Sequence, residues 1–243
     1  MSGQLTGKAA LVTGGSRGIG AAIAIGLAEQ GAAVVIGYVR NEERARQVAR
    51  TITDAGGKAV PIQADLSELS QIERLFDEAE RSVGELDIVI ANAADALQLP
   101  LIDCTEADYD RIFDTNTKGV FFTLQQAARR LRDNGRIIVT STGGTRMLMT
   151  ELSLYLGSKG AVEQFTRVLA RELGGRGITV NSLSPGFTDT DLLPDRDREV
   201  AAGASPFNRV GQPADVADVA VFLSGPNARW ITGQNIAAGG GVF

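Results

Sequence analysis

Tyr155 and Lys159 stand four residues apart in Tyr155-Leu156-Gly157-Ser158-Lys159, inside a stretch that reads as helix. Side chains at that spacing share one helical face, so a phenol and an ammonium are brought side by side. A free tyrosine titrates near ~10, and bringing one toward ~7 takes about 4 kcal/mol of preferential phenolate stabilisation. A neighbouring cation is the obvious source. A phenol tuned in that way exchanges a proton with a carbonyl oxygen near neutral pH. Alone, the pair reads equally as a tyrosine and a lysine on the surface of an amphipathic helix, so the rest of the chain has to decide.

Ala9-Ala10-Leu11-Val12 reads as a buried strand that runs into Thr13-Gly14-Gly15-Ser16-Arg17-Gly18-Ile19-Gly20 and then into an apolar helix beginning Ala21-Ala22-Ile23. Glycines at 14, 18 and 20 permit a tight turn, close approach of backbone to a pyrophosphate, and close packing of helix on sheet. Phosphates placed there meet the free N–H groups and the positive end of the helix dipole. The spacing is Gly-x-x-x-Gly-x-Gly rather than Gly-x-Gly-x-x-Gly.

The glycine pattern followed by Tyr-x-x-x-Lys resembles the short-chain dehydrogenase/reductase family, and further matches come in that family's order along nearly the whole chain. Asn92-Ala93-Ala94, after the apolar run Ile88-Val89-Ile90, resembles the Asn-Ala-Gly signature with Ala94 in place of glycine. The resemblance implies that Asp65 and Leu66 lie against the adenine, that Asn116 belongs to a proton relay, and that Pro185, Gly186, Thr188 and Thr190 hold the nicotinamide carboxamide. Gly14, Ser16, Arg17, Gly18, Ile19, Gly20, Asn92 and Ala93 complete the implied dinucleotide site, to which Tyr155 and Lys159 also contribute. The implied fold is a doubly wound α/β Rossmann-type domain, a parallel seven-stranded sheet with helices on both faces, spanning 1–243.

The identity of the dinucleotide can be argued from charge. An acid at the end of the second strand accepts the ribose hydroxyls of NAD and repels the 2′-phosphate of NADP. Gly37-Tyr38-Val39-Arg40-Asn41 has no acid there. Arg17 and Arg40 are suited to gripping a phosphate. The expected cofactor is therefore NADP(H).

Members of the resembled family place a serine thirteen residues before the tyrosine to bind the substrate carbonyl; here that position is Thr142, with Ser141 beside it. Adjacent side chains on a strand face opposite ways, so only one of the two hydroxyls can serve. Thr142 is the first assignment. Ser141 takes its place if the strand ends early or bulges. The expected catalytic group is Asn116, Thr142, Tyr155 and Lys159, with hydride passing from nicotinamide to a carbonyl carbon while Tyr155 protonates the oxygen.

Composition excludes other classes. The chain has no histidine and a single Cys104, which removes His-based triads, His metal sites and internal disulfides. The thiol usage suits a reducing cytoplasm. Net charge is −5, from 24 basic against 29 acidic residues, which argues against general nucleic-acid affinity. No apolar run reaches the ~18 to 20 residues of a membrane span. At 243 residues and 44% hydrophobic content, one large domain with a substantial core is expected.

Strand and helix signals alternate along the chain, as a parallel sheet covered on both faces requires. Strands are expected at 9–12, 32–38, 59–63, 87–91, 136–141, 178–183 and 234–237. Helices are expected at 41–55, 68–83, 106–132, 152–173 and 215–223. The polar segment 187–208 reads as a lid over the site, and Met147, Leu148 and Met149 as a flexible apolar wall.

Among family members the closest resemblance is to 3-oxoacyl-acyl-carrier-protein reductases. Their carrier docks on two arginines; Arg176 matches one, while the other position holds Asp133. A carboxylate there repels an acidic carrier, which favours a free small or medium ketone over carrier-bound substrate. A silent NADP-binding regulatory protein is the alternative outside enzymology. The resemblance implies a homotetramer, with a dimer as the alternative.

Overall fold

The computed structural model describes residues 3–243. Seven strands form one wholly parallel sheet in the order β3-β2-β1-β4-β5-β6-β7. They are β1 Ala9–Val12, β2 Ala33–Tyr38, β3 Lys58–Gln63, β4 Ile88–Ala91, β5 Arg136–Thr140, β6 Thr179–Pro185 and β7 Asn235–Ala238. The helices are α1 Gly18–Glu29, α2 Glu42–Asp54, α3 Leu69–Val83, α4 Glu106–Phe113, α5 Val120–Arg130, α6 Ser153–Leu173, α7 Arg198–Ala204 and α8 Pro213–Ser224.

Central strands that are apolar on both sides need cover on both faces, and each face has its own core. On one, Leu11, Val35, Val89, Ile137 and Val180 pack with Phe76 and Leu75 of α3, Leu124 of α5 and Val162 of α6. On the other, Val12, Val34, Ile36, Ile90 and Ile138 pack with Ile23 and Leu27 of α1, Val48 and Ile52 of α2, and Val216 and Leu223 of α8. Adjacent strand residues such as Leu11 and Val12 fall in different cores, as period-two alternation demands.

Chain order runs outward from β1 toward β3 on one side and toward β7 on the other. The crevice between β1 and β4 is therefore the switch point at which ligands bind in such sheets. Val12 pairs with Ile90, and Ile90 with Ile138, so the strand ends carrying Thr13, Asn92 and Ser141–Thr142 emerge along one edge.

The structure differs from expectation in particulars that bear on the site. The helix expected over 106–132 is two helices joined by a π-helical turn, Asp114–Gly119. Gly119, at the end of this turn, lets it pass close to the β3 to α3 loop: a Cβ there would lie 2.6 Å from the Leu66 carbonyl oxygen. The fifth strand ends at Thr140 rather than Ser141. The 187–208 segment contains α7, which contributes buried Ala201.

Candidate active site

The turn after β1 is built for close backbone approach. Gly14 and Gly18 have φ of +64° and +53°, in the left-handed region that favours glycine. A Cβ on Gly20 would run into the Gly14 carbonyl and lie 2.5 Å from Asn92 Nδ2. Thr13 Oγ1 accepts from the backbone N–H of Asn92 (3.0 Å) and of Ala93 (3.1 Å), stitching β1 to β4 across the switch point. Asn92 Nδ2 donates to the Thr13 and Gly14 carbonyls, each at 3.2 Å, and its Oδ1 accepts from Thr140 Oγ1 at 3.1 Å. Asn92 thus locks the glycine turn to the end of β5.

Arg17 caps α1 in extended conformation with no side-chain hydrogen bond to the first turn, so the helix's N-terminal N–H groups face the crevice without a protein cap. That cradle fits a pyrophosphate. Ser16 and Ile19 sit within it, and Thr190 closes its outer side, with Cγ2 placed 3.2 Å from where a Gly18 Cβ would stand. Pro185 ends β6 and Gly186 follows it; Thr188 Oγ1 donates to the Gly186 carbonyl at 3.0 Å and Thr188 pairs with Gly211, fixing the start of the lid. Asp65 Oδ1 accepts from Ser67 backbone N–H at 3.0 Å and Ser67 Oγ at 2.8 Å, which sets the loop holding buried Leu66 beside the crevice.

Tyr155 and Lys159 lie in the first two turns of α6. Lys159 is 1% exposed, its Nζ donates to the Thr140 carbonyl at 2.7 Å, and it stands 5.9 Å from the Tyr155 ring centre. Burial lowers its pKa from 10.5 to about 8. Burial also raises the Tyr155 phenol above its usual value, and the Thr142 hydroxyl partly opposes that rise. The net direction is upward, opposite to the lowering expected of a phenol beside Lys159, because the cost of burying the anion dominates.

Thr142 and Ser141 point to different partners. Ser141 Oγ donates to Glu163 Oε1 at 2.6 Å, and Thr145 Oγ1 donates to the same oxygen at 2.8 Å. Thr142 is the hydroxyl turned to Tyr155, and its Oγ1 also accepts from Gly144 N–H at 3.2 Å. The amide of Asn116, within the π-helical turn, is fully engaged: Oδ1 accepts from Asp95 N–H (2.8 Å), and Nδ2 donates to the Asp95 carbonyl (2.8 Å) and Ser158 Oγ (3.0 Å). Ser158 Oγ in turn donates to the Tyr155 carbonyl at 2.6 Å, so Asn116 fastens the turn of α6 that bears the phenol.

Three participants escaped the sequence reading. Glu163 stands four residues after Lys159 on the same helical face, so its spacing was a usable signal. Arg44 and Ser158 carried none. Arg40 is exposed and forms no ion pair among the described residues, whereas Arg44 joins Arg17 on the lid residue Asp191. A cavity of about 210 Å³ lies under the lid among Phe187, Ala201, Phe207, Val216 and Val242. Neither Thr142 nor Tyr155 lines it. Of the expected apolar wall, Leu148 is fully exposed and Met149 borders on exposed.

Residues 14–243 match the family model described as Enoyl-(Acyl carrier protein) reductase. The chain is 41% identical to the short chain dehydrogenase claC of Passalora fulva, across 99% of this chain and 96% of that protein. It is equally 41% identical to the versicolorin reductase stcU of Emericella nidulans, across 99% and 97%. The angucycline C-6 ketoreductase LanV, solved with bound NADP, superposes with a TM-score of 0.95 at 41% identity, covering 100% of this chain and 98% of that one. A short chain dehydrogenase from Burkholderia cenocepacia in complex with NADP gives 0.95 at 40%, covering 98% and 99%. With a parallel sheet split at β1 and β4, a glycine cradle at the split, and these full-length likenesses, the chain belongs to the short-chain dehydrogenase/reductase family.

Proposed function

We propose that this protein is an NADPH-dependent carbonyl reductase that converts the ketone of a free small or medium-sized compound to a secondary alcohol. The observation that carries this reading is the Thr142, Tyr155 and Lys159 cluster, set beside the crevice where the glycine cradle and α1 receive a dinucleotide. The relatives named as ketoreductases, two of whose structures contain NADP, support the cofactor and the reaction class.

The cofactor supplies the hydride. Thr142 donates its hydroxyl proton in a hydrogen bond to the substrate carbonyl oxygen, polarising the carbon and holding the oxygen beside Tyr155. Burial keeps Tyr155 protonated at neutral pH, the form a proton donor needs. As negative charge develops on the carbonyl oxygen, the phenol transfers its proton, and the Lys159 ammonium lowers the energy of the phenolate left behind. Asn116 keeps Tyr155 in register through Ser158. The same steps reversed oxidise an alcohol.

The proposal that substrate arrives free, rather than on an acidic carrier, rests on the basic residues. Arg176 donates to Asp133 Oδ1 at 2.8 Å, to the Ala128 carbonyl at 2.6 Å, and to the Leu131 carbonyl. Arg130 is held by Asp77 at 2.6 Å and Glu80 at 3.2 Å, and Arg132 by Glu85 at 2.8 Å. These three cations are each paired with a neighbouring acid, which weakens their appeal to an acidic carrier. We further propose a homo-oligomer, supported by the exposed aromatic face of α4 and α5.

The test is NADPH oxidation across a panel of a polycyclic aromatic ketone, simple aryl and alkyl ketones, a 3-ketoacyl thioester and an enoyl thioester, with NADH as control. Ketone turnover with NADPH is the expected result. Turnover of the enoyl thioester alone overturns the reading. Dinucleotide binding without turnover of any panel member favours the silent regulatory alternative.

A further inference from the structure

Two guanidinium groups from different elements meet on one carboxylate oxygen. Arg17 Nη1, from the glycine turn, donates to Asp191 Oδ2 at 2.8 Å, and Arg44 Nη1, from the first turn of α2, donates to the same oxygen at 2.7 Å. Nothing else in α2 claims Arg44. Glu42 pairs with Arg46 and Glu43 with Arg50, while the Asn41 side chain caps the helix by accepting from the Arg44 N–H at 3.0 Å. Arg44 is therefore held by its backbone at the edge of the crevice, and its side chain spans to the lid.

All three side chains are about half exposed, at 56%, 51% and 52% for Arg17, Arg44 and Asp191. Ion pairs in such settings contribute little and are easily exchanged. A phosphate monoester brings more negative charge and three acceptor oxygens, and so satisfies two guanidiniums better than one shared carboxylate oxygen does. Asp191 lies next to Thr190, which closes over Gly18, so the carboxylate is tethered to the segment that covers the cradle.

We propose that Arg17 and Arg44 form one anion site that the lid carboxylate of Asp191 and the 2′-phosphate of NADP(H) occupy in turn, which makes Arg44 a determinant of cofactor preference. The inference rests on the NADPH-dependent reading and deepens it. Binding of NADP(H) through its 2′-phosphate removes Asp191 from the arginines, so cofactor loading and release of the lid are one competition.

The experiment is equilibrium binding of 2′,5′-ADP and of 5′-AMP, by calorimetry, to the native protein, Arg44→Gln, Arg44→Lys and Asp191→Asn. The native protein binds 2′,5′-ADP the more tightly. Arg44→Gln weakens 2′,5′-ADP about tenfold or more and leaves 5′-AMP within about twofold, and Arg44→Lys restores part of the loss. Asp191→Asn tightens 2′,5′-ADP several-fold without moving 5′-AMP, because the competitor has lost its charge. Arg44→Gln retaining the full preference overturns the inference, as does Asp191→Asn failing to tighten 2′,5′-ADP. A native protein with no preference between the two nucleotides overturns instead the NADP(H) reading beneath it.

Discussion

Tyr155 and Lys159 respond to burial in opposite directions, and each response can be measured. Tyr155→Phe removes the hydroxyl proposed as the proton donor while keeping the aromatic ring. Carbonyl reduction is expected to fall about 10²- to 10⁴-fold, with NADPH affinity near native when followed by fluorescence titration. Lys159 carries a cost: a pKa lowered from 10.5 to about 8 means the folded state holds its charge reluctantly. Below pH 8 both states are protonated and the full penalty, about 3 kcal/mol, is present. Between 8 and 10.5 the unfolded chain keeps a proton that the folded chain has released, so stability rises with pH there. Lys159→Met is therefore expected to abolish turnover yet be more stable at neutral pH, its advantage shrinking as pH rises through that window in urea denaturation. In the native enzyme, reduction should slow as pH passes about 8 and the ammonium is lost.

At the scale of elements, the site depends on how α6 is tied to β5. Glu163 gathers the Ser141 and Thr145 hydroxyls on one oxygen, holding the strand-to-helix loop so that Thr142 faces the phenol. Glu163→Gln keeps an acceptor oxygen and should retain most activity. Glu163→Ala removes it, and a lower kcat with little change in cofactor affinity is expected, about tenfold for a loosened hydroxyl. Steady-state kinetics with a circular dichroism check of folding separates this positioning role from general damage, since a merely structural role would depress both variants through stability. The choice between Ser141 and Thr142 was open in the sequence because strand alternation gives opposite faces without saying which is inward. Glu163 resolves the direction each hydroxyl takes.

At the scale of the whole molecule, α4, the π-helical turn and α5 present an unfilled aromatic surface. Tyr109 and Phe113 stack at 4.2 Å, Phe121 meets Phe165 edge-on at 5.3 Å, and Tyr109 and Phe121 remain 48% and 43% exposed. Contiguous apolar exposure of this kind marks an association surface. In an oligomer formed there, Phe121→Glu buries a charge and should shift the assembly toward monomer by multi-angle light scattering, with the far-ultraviolet spectrum unchanged. A native protein already monomeric at micromolar concentration removes this surface from consideration.

The local pattern of the chain determined the alternation of strands and helices, the glycine turn at 14–20 and the placement of Tyr155 and Lys159 on one face, because each is set by short-range periodicity and backbone conformational limits. The break at Asp114–Gly119 was not legible, since it passes close to the Leu66 backbone, a neighbour far away in sequence. Nor was α7 within the lid, where Ala201 gains its burial from packing that only the folded chain supplies. The direction of the Tyr155 shift depended on burial, which the spacing to Lys159 cannot reveal. Arg44 and Asp191 lie 147 residues apart, and no periodicity links them. Only the winding of the sheet about β1 and β4, which brings the start of α2 and the segment after β6 to the same crevice, sets these two charges against each other.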